Sequence, residues 1–200
     1  MIRRRSRQRG VSMVEIAISL VIVSVLMAVA VPSFGRWIQN QQIRTAAESV
    51  QNGLQRARGE AVQRNAQVRF QLTSDLTNTC ALSTTAVNWV VSLNTPVSLC
   101  ATAPSDLVSP FIVEAQGSAE VPNVTMVAGQ STVIFNGLGR VTPATAAFFT
   151  FSNATGGACA TIATPSNPMR CLRVAVSAGG QIRLCDPAKA VTIPPDPQAC

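Results

Sequence analysis

RRRSRQRGVSMVEIAISLVIVSVLMAVAV, Arg3 to Val31, changes character at one residue, Gly10. Before it stand five arginines (Arg3, Arg4, Arg5, Arg7 and Arg9) and no acid, a composition that keeps a segment on the cytoplasmic side of a membrane. After it, Ile16 to Val31 holds only Ser19 and Ser24 as polar residues, and the run reaches back to Val11 if Ser12 and Glu15 are admitted. At about 1.5 Å of rise per residue, a helix from Val11 to Val31 is just long enough to cross a hydrocarbon core of roughly 30 Å. The stretch predicts a helical stem, and the rest of the chain reads as its cargo.

Glu15 is the anomaly in this stem. A carboxylate a few residues inside an apolar span costs on the order of a few kcal/mol and by default marks a function or a partner. A secretory signal carries its cleavage site after the apolar region, at small residues; here the candidate site, Arg9-Gly10-Val11, precedes it. The basic leader, Gly10, an apolar residue with Glu15 four positions on, the apolar helix, and Pro32 at its end resemble, in that order, the class III leader of type IV pilins and pseudopilins. The resemblance implies that prepilin peptidase cuts between Gly10 and Val11 and methylates the new amine. It also implies that Glu15 neutralises a neighbouring subunit's N-terminus in the filament, and that Pro32 belongs to the assembly helix. Val11 departs from the phenylalanine usual in that family.

Composition bounds the remainder. The formal charge of +7 falls to +2 once the five leader arginines are set aside, leaving eleven basic against nine acidic residues, so bulk basicity is no argument for nucleic acid. The chain has no His and no Tyr, which removes the commonest general base and metal ligand and leaves no partner for a Ser-His or Cys-His pair. No nucleophile–base arrangement supports an enzyme, and no cofactor is called for. Six cysteines, Cys80, Cys100, Cys159, Cys171, Cys185 and Cys200, all lie beyond the stem. An even count in an exported chain argues for three disulfides. Fifteen connectivities are open, and nearest-neighbour pairing closes the most compact loops. The absence of C-x-x-C spacing and of His argues against zinc.

The helix is expected to continue past Pro32, with a kink there. Ile43, Ala46, Ala47, Val50, Leu54, Ala57 and Ala61 recur at helical spacing as an apolar stripe. Arg44 with Glu48, Arg56 with Glu60, and Glu60 with Arg64 make i,i+4 pairs on a face read as solvated. One helix from near Ser12 to near Asn65 follows. This divides the chain into a cleaved leader (1–10), a membrane or filament-core half-helix (11–39), and a head (40–200) that includes the amphipathic half-helix 40–65.

Beyond the helix, short β-like runs are separated by turn residues: 67–73, 87–93, 111–115, 124–128, 132–136, 146–151, 171–177 and 181–185. The fold class is therefore α+β, a long N-terminal helix packed on an antiparallel sheet or a two-layer β head, stapled by disulfides. Thr95 to Pro110 reads as a surface loop fastened by Cys100, and Phe135 to Arg140 as a turn between strands. Leu54, Ala57-Arg58, Glu60-Ala61 and Arg64-Asn65, followed by a strand, resemble the GspH/FimT/FimU branch of minor pilins and pseudopilins, in which this half-helix lies on a β-sheet.

Near the C-terminus, Cys171 to Cys185 reads as a hairpin turning at Gly179-Gly180. Period-two alternation puts Arg173 and Arg183 on one face, opposite Leu172, Val174 and Val176. In FimT-type DNA receptors this turn carries a G-R-x-R motif that holds the phosphate backbone. Here Gly180-Gln181-Ile182-Arg183 keeps the second arginine and replaces the first by glutamine, which removes one phosphate contact. Arg170 and Lys189 are further cations nearby, and no aromatic residue flanks the turn in sequence to stack on single strands.

The leading reading is a FimU-like minor pilin at or near a type IV pilus tip that helps prime assembly. The alternatives are a FimT-like pilin that binds double-stranded DNA through Arg173, Gln181 and Arg183, and a GspH-like pseudopilin of type II secretion. The partners implied are prepilin peptidase, other minor and major pilins, and the inner membrane before assembly. The head would then sit in the periplasm or outside the cell.

Overall fold

The computed structural model describes residues 12–119, 121–190 and 196–200, apart from the side chains at 29–33. The leader, Gly10, Val11, the side chain of Pro32 and the Pro194-Pro195 part of the tail lie outside the described residues. The chain divides into two units, Met1–Trp37 and Ile38–Cys200. One helix, α1 (Met13–Arg64), belongs to both and continues past Pro32, which is the part of the expectation the helix bounds bear out.

In the first unit the large apolar side chains from Met13 to Met27 are exposed. Ser19 Oγ donates to the Glu15 carbonyl at 2.7 Å and Ser24 Oγ to the Val21 carbonyl at 2.8 Å. Both hydroxyls of the apolar run are thus satisfied inside the helix. Among the described residues no helix is long and apolar enough to cross a membrane. The stretch expected to cross, Val11 to Val31, is described only from Ser12 to Ala28 in its side chains. Met13 to Ala28 rises about 24 Å at 1.5 Å per residue, short of a core of roughly 30 Å.

The second unit holds the rest of α1 and eight strands: β1 (Val68–Thr73), β2 (Asn88–Ser92), β3 (Ile112–Gln116), β4 (Val124–Ala128), β5 (Thr132–Phe135), β6 (Ala147–Asn153), β7 (Leu172–Val176) and β8 (Ile182–Cys185). They form two four-stranded sheets, ordered β3-β2-β1-β5 and β4-β6-β7-β8, antiparallel at every pairing. The apolar stripe of α1 is fully buried at all seven expected positions. Phe70 of β1 meets Phe149 of β6 edge-on with centroids 5.9 Å apart, so both sheets share one core with the helix. The helix lies close: a Cβ on Gly53 would stand 2.9 Å from Phe70 and 3.0 Å from Trp89. Trp89 Nε1 donates to Ser49 Oγ at 3.0 Å, which satisfies the indole under the helix.

The face of α1 read as solvated is more engaged than its pattern indicated. Glu60 is buried, held between Arg56 at 3.1 Å and Arg64 at 2.7 Å. Arg64 reaches on to Asp106 at 2.8 Å, and the Glu60 and Asp106 hydrogen bonds hold its proton above the ordinary range. The reason is tertiary: Asp106 sits in the 93–111 loop, which folds over the first sheet. That loop is fastened by Cys80–Cys100 and builds a second small core of Cys80, Val90, Cys100 and Ile112. Cys159–Cys171 and Cys185–Cys200 complete the nearest-neighbour set. The 153–170 segment is tied to α1 by Arg170 N donating to Asn40 Oδ1 at 2.9 Å and Asn153 Nδ2 to Gln42 Oε1 at 3.3 Å.

Candidate functional site

The first sheet is covered on both faces, by α1 and by the disulfide-fastened loop. The second sheet turns one face to α1 through Met126, Phe149, Phe151, Val174 and Val176. Its other face is open, with Val127 and Phe148 partly exposed. The hairpin expected around Gly179-Gly180 forms, with Val176 opposite Ile182 and Ala175 opposite Arg183. Since Arg173 lies two residues from Ala175 on the same strand, Arg173 and Arg183 share the open face on a diagonal.

Arg173 is oriented from below. Its Nε donates to Thr150 Oγ1 at 3.1 Å, and its guanidinium lies 5.5 Å from the centroid of Phe148. Phe148 is therefore a member of this face that reading along the hairpin missed. It belongs to β6, and only the β6–β7 register, with Phe148 opposite Ala175, brings it there. The one available signal was alternation in β6, which sets Phe148 and Thr150 apart from the buried Phe149 and Phe151. Arg183 and Gln181 are exposed. Arg170 and Lys189 are engaged elsewhere: Arg170 pairs with the buried Asp186 at 2.9 Å, and Lys189 with Asp196 at 3.3 Å. The Asp196 carboxyl is held below its ordinary range, first by the Gln198 backbone N–H and then by Lys189.

The hairpin turn has a tight neighbour. Asn136 Oδ1 accepts from the amides of Leu138 at 3.0 Å and Arg140 at 3.1 Å, which closes the turn after β5. Val141 N then donates to the Ala178 carbonyl at 3.2 Å, joining the two turns. Gly139 and Gly180 both have positive φ, +71° and +82°. A side chain on Gly180 would overlap the Gly139 carbonyl. Here glycine is required by conformation and by space together.

The carboxylate of Glu15, on the exposed apolar half of α1, has no hydrogen-bond or ion partner among the described residues; only the Glu15 backbone carbonyl is engaged, by Ser19 Oγ. Gly10 and Val11 lie outside those residues. No group of three or more His, Cys, Asp or Glu among the described residues is placed to hold a metal.

The family model of the type II transport protein GspH matches residues 46–180, the half-helix and nearly all of both sheets. The prokaryotic N-terminal methylation motif matches residues 5–31, the stretch that changes character at Gly10. No curated protein matches. Two crystal forms of the type IV minor pilin FimU from Pseudomonas aeruginosa are similar in fold. One is 17% identical with a TM-score of 0.49, covering 74% of this chain and 95% of that one. The other is 16% identical with a TM-score of 0.52, covering 77% and 96%. With more than half of its length matched by that family model behind an N-terminal methylation motif, the chain belongs to the GspH family.

Proposed function

We propose that this chain is a FimU-like minor pilin that enters a type IV pilus at or near its tip and helps prime assembly. The observation that carries the reading is the first unit of α1. A run of exposed apolar side chains, with its serines satisfied internally and a Glu15 carboxylate that has no partner among the described residues, has no use for water and calls for lipid or neighbouring helices. In this reading prepilin peptidase cuts after Gly10, the methylated amine of Val11 meets Glu15 of another subunit, and major and minor pilins replace the inner membrane around the helix. The head needs no catalytic residue for this role.

The test is recovery in sheared filaments. Glu15→Ala should be processed normally yet incorporated poorly, and Gly10→Val should keep the leader, with an unchanged precursor mass. Full recovery of the Glu15 variant in pili would overturn the reading. Recovery with secretion pseudopili and never with pili would replace it by the GspH-like alternative.

A second reading, a FimT-like pilin that binds double-stranded DNA, is favoured by one observation. Arg173 and Arg183 share an open sheet face, and neither pairs with a carboxylate among the described residues. Gln181 retains a donor for a phosphate oxygen but no charge. Duplex binding that falls with salt and is lost in Arg183→Gln supports this reading; no binding at low salt removes it.

A further inference from the structure

The contact between the two turns gathers arginines that lie far apart in the chain. A Cβ on Gly180 would stand 3.5 Å from Arg140 Cα, so Arg140 leaves the chain directly beside the turn that carries Gln181. On its other side, a Cβ on Gly139 would stand 3.1 Å from Arg58 Nε and 3.2 Å from Val62 Cγ2. Helix α1, the turn after β5 and the β7–β8 hairpin therefore meet along one ridge. Arg58, Arg140 and Gln181 stand on it, and Arg183 follows two residues along β8. All four are exposed.

Among the described residues, no carboxylate compensates the charge on this ridge. Arg44, Arg56, Arg64, Arg170 and Lys189 each pair with an acid, whereas Arg58, Arg140 and Arg183 have no carboxylate partner among the described residues. The backbone under them is fixed by the Val141–Ala178 hydrogen bond, by Gly180, where a side chain would overlap the Gly139 carbonyl, and by Gly139, held at φ +71°. Guanidiniums held on three elements of a rigid ridge suit a ligand with repeated, fixed anions, and successive phosphodiesters of a duplex are such a ligand. We infer that Arg58 and Arg140 extend the hairpin's arginine surface into a backbone-phosphate track for duplex DNA, in which Arg140 supplies the cation that Gln181 lacks. The inference rests on the DNA-binding reading above and adds two residues outside the hairpin.

The test uses the full-length protein in detergent and a fluorescent duplex, with affinity measured across a salt series. Arg140→Gln and Arg58→Gln should each weaken binding roughly five- to tenfold at about 50 mM salt and flatten the salt dependence by about one unit of slope. Gln181→Arg should tighten and steepen binding, and should restore it in the Arg140→Gln background. Wild-type affinity in both Arg58→Gln and Arg140→Gln, with loss only in Arg183→Gln, would overturn the extended track and leave the hairpin reading standing. No duplex binding by the wild type would end both. Leu138, exposed at the tip of the same turn, makes an anionic lipid surface the competing ligand. Binding to phosphatidylglycerol vesicles without binding to duplex, abolished by Leu138→Ser, would overturn the inference in favour of that surface.

Discussion

The carbonyl of Gly139 fills the space a side chain on Gly180 would need. The turn after β5 and the turn of the β7–β8 hairpin are thereby locked together, and through Gly139 they are pressed against Arg58 and Val62 of the helix. The geometry of the arginine ridge depends on this contact more than on any arginine.

Gly180→Ala should be disproportionately costly for one methyl group. It strains a residue at φ +82° and forces the turns apart, which together should cost about 2 kcal/mol or more. A lower midpoint in chemical denaturation, with chemical-shift changes at Ala178 and Val141, is the expected outcome. An unchanged midpoint would mean that the turns separate freely.

Two helical glycines should respond to alanine in opposite directions. Gly59 is exposed with nothing within 4 Å of a Cβ, so Gly59→Ala should gain up to about 1 kcal/mol from helix propensity. At Gly53 the new methyl would press on Phe70 and Trp89, and the loss of packing should outweigh the same gain. Thermal unfolding of the pair checks the sign of each.

Glu60→Gln should destabilise the head by about 1–2 kcal/mol. The carboxylate is buried but its partners Arg56 and Arg64 are partly solvated, which screens the loss. Hydrogen exchange should rise in the 93–111 loop as well, because Arg64 links Glu60 to Asp106.

The pH response should be flat through neutrality and appear only in acid. The chain has no histidine, and its six cysteines are all in disulfides. Asp75 is held below its ordinary range, first by the Thr77 hydroxyl and then by the Thr77 amide. A depressed carboxyl contributes fully above its unfolded value and loses that contribution as pH falls through the folded one. Amide protection at Thr77 should therefore hold from about pH 8 to 5 and drop below about pH 4. A loss between pH 6 and 7 would contradict this assignment.

Removing Cys159–Cys171 by a double serine substitution should cost about 2–3 kcal/mol through the freed loop and loosen the segment between them. Proteolysis within 160–170, with the sheets still protected, is the expected signature.

Much of this architecture was legible from local pattern. A helical stripe needs only its own spacing, and all seven stripe residues of α1 are buried as the 3.6-residue period requires. Alternation and turn residues located all eight strands to within a few positions, and short loops favoured the nearest-neighbour disulfides. The shared face of Arg173 and Arg183 followed from the two-residue period of a hairpin. Other features were set by tertiary contact alone. That the strands part into two sheets, that the 93–111 loop roofs one of them, that Glu60 is buried, that Phe148 lies under Arg173, and that Gly139 abuts Gly180 all join segments distant in the chain. Periodicity reports which way a side chain faces, because that is a property of one element. Which other element it meets depends on sheet order, register and the closing of long loops, and no local pattern carries that information.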